Sequence, residues 1–202
     1  MHLYYAPGTI ALATLITLEE VGAPYTPVRI DFTKGDQQGT IYRAVNPKGR
    51  VPALVTDQGI LTETPAILTF LGQSFPQANL LPADPFGFAK VQELMAYLCS
   101  TVHVSHAHKR RGARWSDDPG VVAAMAFKVA QNMGDHFAYL EGRFTGPFVM
   151  GAQFTVADPY LYVIASWLDG DGVDIARFPR IAAHFAALSA RLSVQRALAI
   201  QS

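Results

Sequence analysis

Residues 46–54, Asn-Pro-Lys-Gly-Arg-Val-Pro-Ala-Leu (NPKGRVPAL), decide how the amino-terminal part of the chain is interpreted. Pro52 stands where a strand is expected to begin. A proline there offers no amide to a neighbouring strand and pushes Val51 into an extended conformation. If the Val51–Pro52 bond is cis, the Val51 amide and carbonyl face a ligand that pairs with them like an added strand. The alternative is an ordinary trans proline at a strand edge, and only about 5–6% of X–Pro bonds are cis.

A second polar cluster, Glu63-Thr64-Pro65, lies where a helix is predicted to begin. Threonine is a good N-cap, and proline is favoured at the first helical position. The free amides and the positive end of the helix dipole favour a bound carboxylate, and Glu63 suits an ammonium group at the same place. The cluster therefore indicates a site for an α-amino acid head group. The alternative is a plain helix cap, which is the commoner use of such residues.

The segments around these two clusters predict a small α/β unit. Strands are predicted at residues 2–5, 25–30, 51–56 and 59–61, and helices at 9–21 and 64–74. The first helix is expected to be amphipathic and to stop at Gly22. Residues 33–50 are polar and glycine-rich, so they are expected to be irregular with one short helix. This order predicts helices packed on a small mixed sheet.

The strand pattern vanishes in the second half of the chain. Residues 78–85 contain two prolines and no periodicity, which is typical of a linker. Helical patterns then dominate at residues 86–108, 119–141, 156–167 and 179–192. The chain therefore combines an α/β unit with an all-α unit.

Composition excludes several function classes. Sixteen basic and 16 acidic residues give zero formal charge, so nucleic acid and anionic membrane are not predicted partners. The one cysteine, Cys99, cannot form an intrachain disulfide, which predicts a reducing, cytoplasmic location. The apolar run at residues 9–18 is too short to cross a bilayer and is followed by Glu19 and Glu20. These features favour small-molecule chemistry.

In this order and spacing, NPKGRVPAL and TETPAILTFL (residues 62–71) resemble the cis-proline loop and γ-glutamyl site of the glutathione transferases. The opening LYYAPGTIALATLITLEEVG (3–22) is similar to the bacterial beta class. FTVADP (154–159) matches the family's capping box, with Thr155 as N-cap and Asp158 closing it. The tail, residues 178–198, resembles the family's last helices.

The resemblance implies a thioredoxin-like glutathione-binding domain at residues 1–77 and a helical bundle domain at 86–202. It also implies a homodimer with glutathione as co-substrate. Val51, beside Pro52, would pair its backbone with the cysteinyl unit, and Glu63 and Thr64 would hold the γ-glutamyl end. Lys34 would approach the glycyl carboxylate. His103 aligns with a histidine that lines the beta-class site.

The chain departs from the beta class at the start of its first helix, where Ile10 replaces the class cysteine. Conjugation needs no protein nucleophile, but it needs glutathione as a thiolate. Lowering a thiol pKa from about 8.5 by two units corresponds to about 2.7 kcal/mol. A hydrogen-bond donor at a helix N-terminus can supply that energy.

The candidate donors are Tyr5, Thr9 and the amides of Ile10 and Ala11. The alternative for Tyr5 is an aromatic packing residue, and the alternative for Thr9 is a helix N-cap. Cys99 is interpreted as a small, buried apolar residue with low reactivity.

The helical half offers further candidates. The second substrate is expected near Tyr97, His103 and Trp115. His103 and His106 share a helix face but lack a third ligand, so no metal is predicted. The basic run at residues 109–114 is interpreted as a solvated helix end that attracts acidic co-substrates.

The predicted function is a detoxifying glutathione transferase that conjugates small hydrophobic electrophiles. The alternative, favoured by Ile10, is a catalytically weak glutathione-binding carrier or interaction protein of the same fold. A third interpretation is a glutathione-dependent isomerase, but that branch carries a serine-rich motif that residues 9–11 lack.

Overall fold

The computed structural model describes all 202 residues. The amino-terminal unit contains β1 (His2–Tyr5), α1 (Ala11–Val21), β2 (Thr26–Arg29), α2 (Thr40–Val45), β3 (Ala53–Thr56), β4 (Gly59–Thr62) and α3 (Thr64–Ser74). The sheet order is β2-β1-β3-β4, in which β1 pairs parallel with β2 and the other pairs are antiparallel. The predicted mixed sheet with packed helices is therefore confirmed.

The irregular segment between β2 and β3 also follows the prediction. It contains a 3-10 turn at Asp36–Gln38 and the short helix α2. The strand before it is shorter than predicted, and β3 begins only at Ala53. Val51 and Pro52 thus lie just outside the sheet.

Helix α1 is buried on all sides rather than amphipathic, which corrects the prediction. Every residue from Ala11 to Leu18 is buried, because α1 packs against α3, α7 (Ala157–Ala165) and α10 (Leu192–Gln201). A helix covered on every face needs no polar stripe. Gly22 ends it in the left-handed conformation, φ 66°, as predicted. This packing places the start of α1 at the junction of the sheet unit and the helical unit.

The carboxy-terminal unit is helical throughout. Its remaining helices are α4 (Pro85–Tyr97), α5 (His103–Arg111), α6 (Pro119–Glu141), α8 (Leu168–Asp171) and α9 (Pro179–Ser189). A π-helical turn at Leu98–Val102 joins α4 to α5, so the predicted helix at 86–108 is one rod with a widened turn. The predicted linker lies between α3 and α4, and the domain ranges 1–77 and 86–202 remain predictions. No helix of the chain combines the length and apolar character needed to span a bilayer.

The last predicted helix, residues 179–192, corresponds to α9, and the helix α10 that follows it was not predicted. Arg191 is extended, φ −70° and ψ 139°, and separates α9 from α10. Its guanidinium group donates two hydrogen bonds of 2.8 Å to the Glu20 carboxylate at the end of α1. This tertiary contact holds the start of α10 against the end of α1.

The capping box before α7 has the hydrogen bonds expected of it. Asp158 Oδ2 accepts from the Thr155 amide at 2.7 Å, and Thr155 Oγ1 accepts from the Ala157 amide at 3.4 Å. The regular helix begins at Ala157, so Thr155 lies one position further out than predicted. Asp158 Oδ1 also accepts from the Val149 amide and from His184 Nε2, both at 2.9 Å. The carboxylate therefore joins the loop before α7 to α9.

Candidate active site

A cleft of about 350 Å³ lies between the sheet unit and the helical unit. Its volume falls within the range of about 300–1,000 Å³ that is usual for ligand sites. One wall consists of the start of α1, the segment before β3 and the start of α3. The other wall consists of α5, the π-helical turn and residues near Trp167. The predicted residues Thr9, Val51, Pro52, Glu63, Thr64, His103 and Trp115 all line this cleft.

The Val51–Pro52 segment presents free backbone groups to the cleft. The peptide bond between these residues is cis. The Val51 amide and carbonyl make no hydrogen bond within the chain. The carbonyl before them, that of Arg50, is held by the Tyr42 hydroxyl and the Asn46 side-chain amide at 2.6 Å each. These two bonds orient the segment so that Val51 can pair with an extended ligand.

Glu63 and Thr64 stand at the start of α3. Glu63 rather than Thr64 occupies the position before the helix, which corrects the predicted cap. Its φ of 71° is unusual for a residue with a side chain, and such backbone conformations cluster at functional sites. Thr64 is buried, and its amide and hydroxyl have no partner within the chain. The start of α3 thus presents free hydrogen-bond donors beside the Glu63 carboxylate.

Lys48 forms an ion pair with Glu63. Its ammonium group contacts the Glu63 carboxylate and donates to Thr62 Oγ1 at 2.7 Å. The Glu63 side chain is 63% exposed, so this pair is accessible to solvent and weak. An ammonium group of a ligand can therefore replace Lys48 at little cost.

The start of α1 supplies a free amide. The Thr9 hydroxyl donates to the Ala6 carbonyl at 2.7 Å and accepts from the Ala11 amide at 3.3 Å. The Ile10 amide makes no hydrogen bond within the chain, and Ile10 lines the cleft. Of the predicted donors, the Ile10 amide is therefore the one that has a free proton at this helix N-terminus.

The structure places Tyr5 and Lys34 away from the cleft. The Tyr5 hydroxyl donates to the Ile200 carbonyl at 2.8 Å, and Tyr5 is buried outside the cleft lining. Tyr5 therefore has the packing position that was its alternative interpretation. The Lys34 side chain is 76% exposed, faces Asp31 at 3.6 Å and does not reach the cleft. The irregular segment carries it outward.

The helical wall contains two histidines with different surroundings. Burial, together with the charges of Arg111 and His106, lowers the pKa of His103 to about 4, so His103 is neutral at pH 7. His106 Nδ1 bonds Asp171 at 2.8 Å, and the His106 ring stacks on Trp167 at 4.3 Å. Neutral His103 can accept or donate a hydrogen bond but contributes no charge to a thiolate.

Two further expectations on the helical wall are corrected. The Tyr97 hydroxyl lies 2.8 Å from His136 Nδ1, and Tyr97 does not line the cleft. Cys99, interpreted as a core residue, is partly exposed and does line it. Burial and the nearby Glu63 raise the pKa of the Cys99 thiol, so the thiol is protonated at neutral pH.

Tyr160 was not predicted to be a site residue, because it lies in a helix whose neighbouring residues are mostly apolar. It is buried at the floor of the cleft, and its hydroxyl makes no hydrogen bond within the chain. Burial and the nearby Cys99 and Glu63 raise the pKa of Tyr160. The hydroxyl is therefore protonated at neutral pH and free to donate to a bound ligand.

Comparison with known proteins matches both units to one family. Residues 1–73 match the family model "Glutathione S-transferase, N-terminal domain", and residues 110–187 match "Glutathione S-transferase, C-terminal domain". The glutathione S-transferase GstA of Escherichia coli O157:H7 is 33% identical over 204 residues, which cover 100% of this chain and 98% of that protein. The chain belongs to the glutathione S-transferase family.

Solved structures of glutathione S-transferases share the whole fold. A glutathione transferase homologue from Sulfitobacter, solved with bound glutathione, has a TM-score of 0.95 at 44% identity and covers 98% of this chain and 97% of its own. The beta-class enzyme of Sphingomonas chungbukensis has a TM-score of 0.87 at 28% identity and covers 100% and 99%. Some relatives are named maleylacetoacetate isomerase or maleylpyruvate isomerase, so the family includes more than one reaction.

Proposed function

We propose that this chain is an active glutathione transferase whose site is the cleft between the two units. The observation that carries the proposal is the set of unpaired groups along one wall. The Val51 backbone, the Thr64 amide and hydroxyl, and the Ile10 amide all line the cleft without partners in the chain. Several polar groups that face one cleft and have no partner in the chain are available to a ligand.

The free groups match the parts of glutathione in order. The γ-glutamyl carboxylate binds the Thr64 amide and hydroxyl at the start of α3, and its ammonium group replaces Lys48 at the Glu63 carboxylate. The cysteinyl unit pairs with the Val51 backbone. The glycyl end then points toward Arg50, which precedes Val51 and lines the cleft. Arg50 takes the role that the resemblance assigned to Lys34.

The cysteinyl thiol lies toward the start of α1. The free Ile10 amide donates to the thiolate, and the helix dipole favours negative charge at that end. Thr9 supports this arrangement, because its hydroxyl holds the Ala11 amide and the Ala6 carbonyl in place. Catalysis then consists of stabilising the thiolate and orienting it toward the electrophile.

Thiolate stabilisation is tested by following the ultraviolet absorbance of bound glutathione against pH. We expect the thiol pKa to fall below the free value of about 8.5 by about one to two units. Tyr5→Phe should leave the bound pKa unchanged, because its hydroxyl is used by Ile200. Thr9→Val should raise it, because the start of α1 loses two hydrogen bonds.

Circular dichroism checks that Thr9→Val stays folded, because loss of a helix cap lowers the free energy of unfolding by about 1 kcal/mol. Binding of glutathione with an unshifted pKa would contradict the enzyme proposal. It would favour the carrier function that Ile10 suggests.

We also propose a homodimer. Apolar side chains on α4 and α6 are exposed in the single chain, including Phe86 at 76% and Phe127 at 86%. Exposed apolar patches mark protein interfaces, so these side chains are the candidates for the dimer contact. Light scattering at micromolar concentration is expected to give twice the mass of one chain, and Phe127→Asp should shift the population toward the monomer. A wild-type monomer under these conditions would refute the proposal.

A further inference from the structure

Three arginines converge on the cleft from both units. Arg50 precedes Val51, Arg111 ends α5, and Arg114 lies in the 3-10 turn Gly112–Arg114. None of these guanidinium groups has an ion pair within the chain. Arg111 is partly buried, whereas Arg50 and Arg114 are exposed. Guanidinium groups that face a cleft without a carboxylate partner are available to bind an anion.

The arginines are also close enough to affect one another. Burial, followed by the charges of Arg114 and Arg50, lowers the pKa of Arg111, and burial and Arg50 lower that of Arg114. The carboxylates nearby do not relieve this repulsion. Glu63 contacts Lys48, and Asp171 bonds His106. The helical wall therefore has an excess of positive charge.

Bound glutathione accounts for only part of this charge. Its glycyl carboxylate lies by Arg50 in the proposed orientation, which leaves Arg111 and Arg114 on the opposite wall. These two are grouped with the Trp115 side chain, which also lines the cleft and is 49% exposed. An aromatic surface beside two guanidinium forks suits a flat molecule with an anionic end.

We propose that the second substrate is an electrophile that carries a carboxylate, held by Arg111 and Arg114. This inference rests on the proposed transferase function and narrows the hydrophobic electrophile expected from the sequence. For an aryl chloride, the glutathione thiol loses its proton to solvent, and the thiolate sulfur attacks the ring carbon. The carbon–sulfur bond forms, and chloride leaves with the carbon–chlorine bonding electrons. The carboxylate itself is unchanged and only orients the ring.

Calorimetry with two synthetic conjugates tests the inference without requiring turnover. The ligands are glutathione alone, its S-(4-carboxy-2-nitrophenyl) conjugate, and the same conjugate with only the ring carboxyl group converted to its methyl ester. The wild-type protein is expected to bind the carboxylate conjugate at least about tenfold more tightly than the ester, because charge-assisted hydrogen bonds are lost in the ester. Raising the salt concentration should reduce this preference.

Arg111→Gln and Arg114→Gln should each reduce the preference for the carboxylate conjugate over the ester by about tenfold. Both variants should bind glutathione alone with unchanged affinity. Arg110→Gln is the matched control, because Arg110 is exposed on the same helix and does not line the cleft. Equal affinity of the wild type for both conjugates would overturn the inference. It would also be overturned if each arginine variant lost as much affinity for glutathione alone as for the carboxylate conjugate. Failure of glutathione itself to bind would instead overturn the proposed function.

Discussion

Replacing Glu63 by alanine is expected to weaken glutathione binding by about tenfold to a hundredfold. The carboxylate is the acidic group beside the open start of α3, where the α-amino acid end of glutathione is proposed to bind. A charge-assisted hydrogen bond contributes about 1.5–3 kcal/mol, and the bound ligand would shield from water a side chain that is now 63% exposed. Calorimetry of glutathione against the wild type and the variant measures the loss.

Two further variants separate the ligand contact from other roles of Glu63. Glu63→Gln keeps the shape and the hydrogen-bond acceptor but removes the charge, so its loss should be intermediate. Lys48→Met removes the cation that contacts Glu63 in the free protein. It should leave affinity equal or slightly higher, because the ligand ammonium then displaces nothing. An unchanged affinity of Glu63→Ala for glutathione would contradict the assignment of the γ-glutamyl site.

Replacing Asp158 by alanine is expected to lower the free energy of unfolding by about 3–5 kcal/mol. The carboxylate is fully buried and accepts from the Thr155 amide at 2.7 Å and the Thr155 hydroxyl at 3.1 Å. It also accepts from the Val149 amide and from His184, whose other ring nitrogen has no partner. Removing it leaves four buried donors unsatisfied, which costs far more than the lost bonds alone.

Urea unfolding measures this loss. The protein concentration is held fixed, because the proposed dimer would make stability depend on concentration. Asp174→Ala is the matched control. Asp174 is also a capping aspartate, but it is exposed and accepts only from the Ala176 amide at 2.9 Å. Its loss should be about 1 kcal/mol or less. A similar small loss in Asp158→Ala would show that the buried network contributes little to stability.

The predicted site residues that line the cleft on the sheet side depend on short-range effects. Val51 is freed from the sheet by the proline that follows it, and Thr64 has a free amide because it is the first residue of a helix. Both effects arise within a few residues, so the sequence shows them directly. The assignments of Val51, Pro52, Glu63 and Thr64 to glutathione remain predictions, although all four line one cleft.

The helical wall was harder to predict because its geometry changes within a single helix. The prediction of which residues share a face at 86–108 assumes a regular α-helix. The turn at Leu98–Val102 is instead π-helical. One additional residue in a turn rotates the following faces by about 100°. Cys99, inside this turn, lines the cleft, whereas Tyr97 at the end of α4 bonds His136 instead.

By itself, the sequence determined the order of strands and helices, the two units and the backbone features at Val51 and at the start of α3. These follow from the preferences of neighbouring residues for particular conformations. Only the tertiary structure decided which side chains share the cleft. In the folded chain the Tyr5 hydroxyl donates to the Ile200 carbonyl, Lys34 is exposed to solvent, and Arg50 lies near Arg111. Such contacts join residues far apart in the chain, and they depend on how every helix packs rather than on any local pattern.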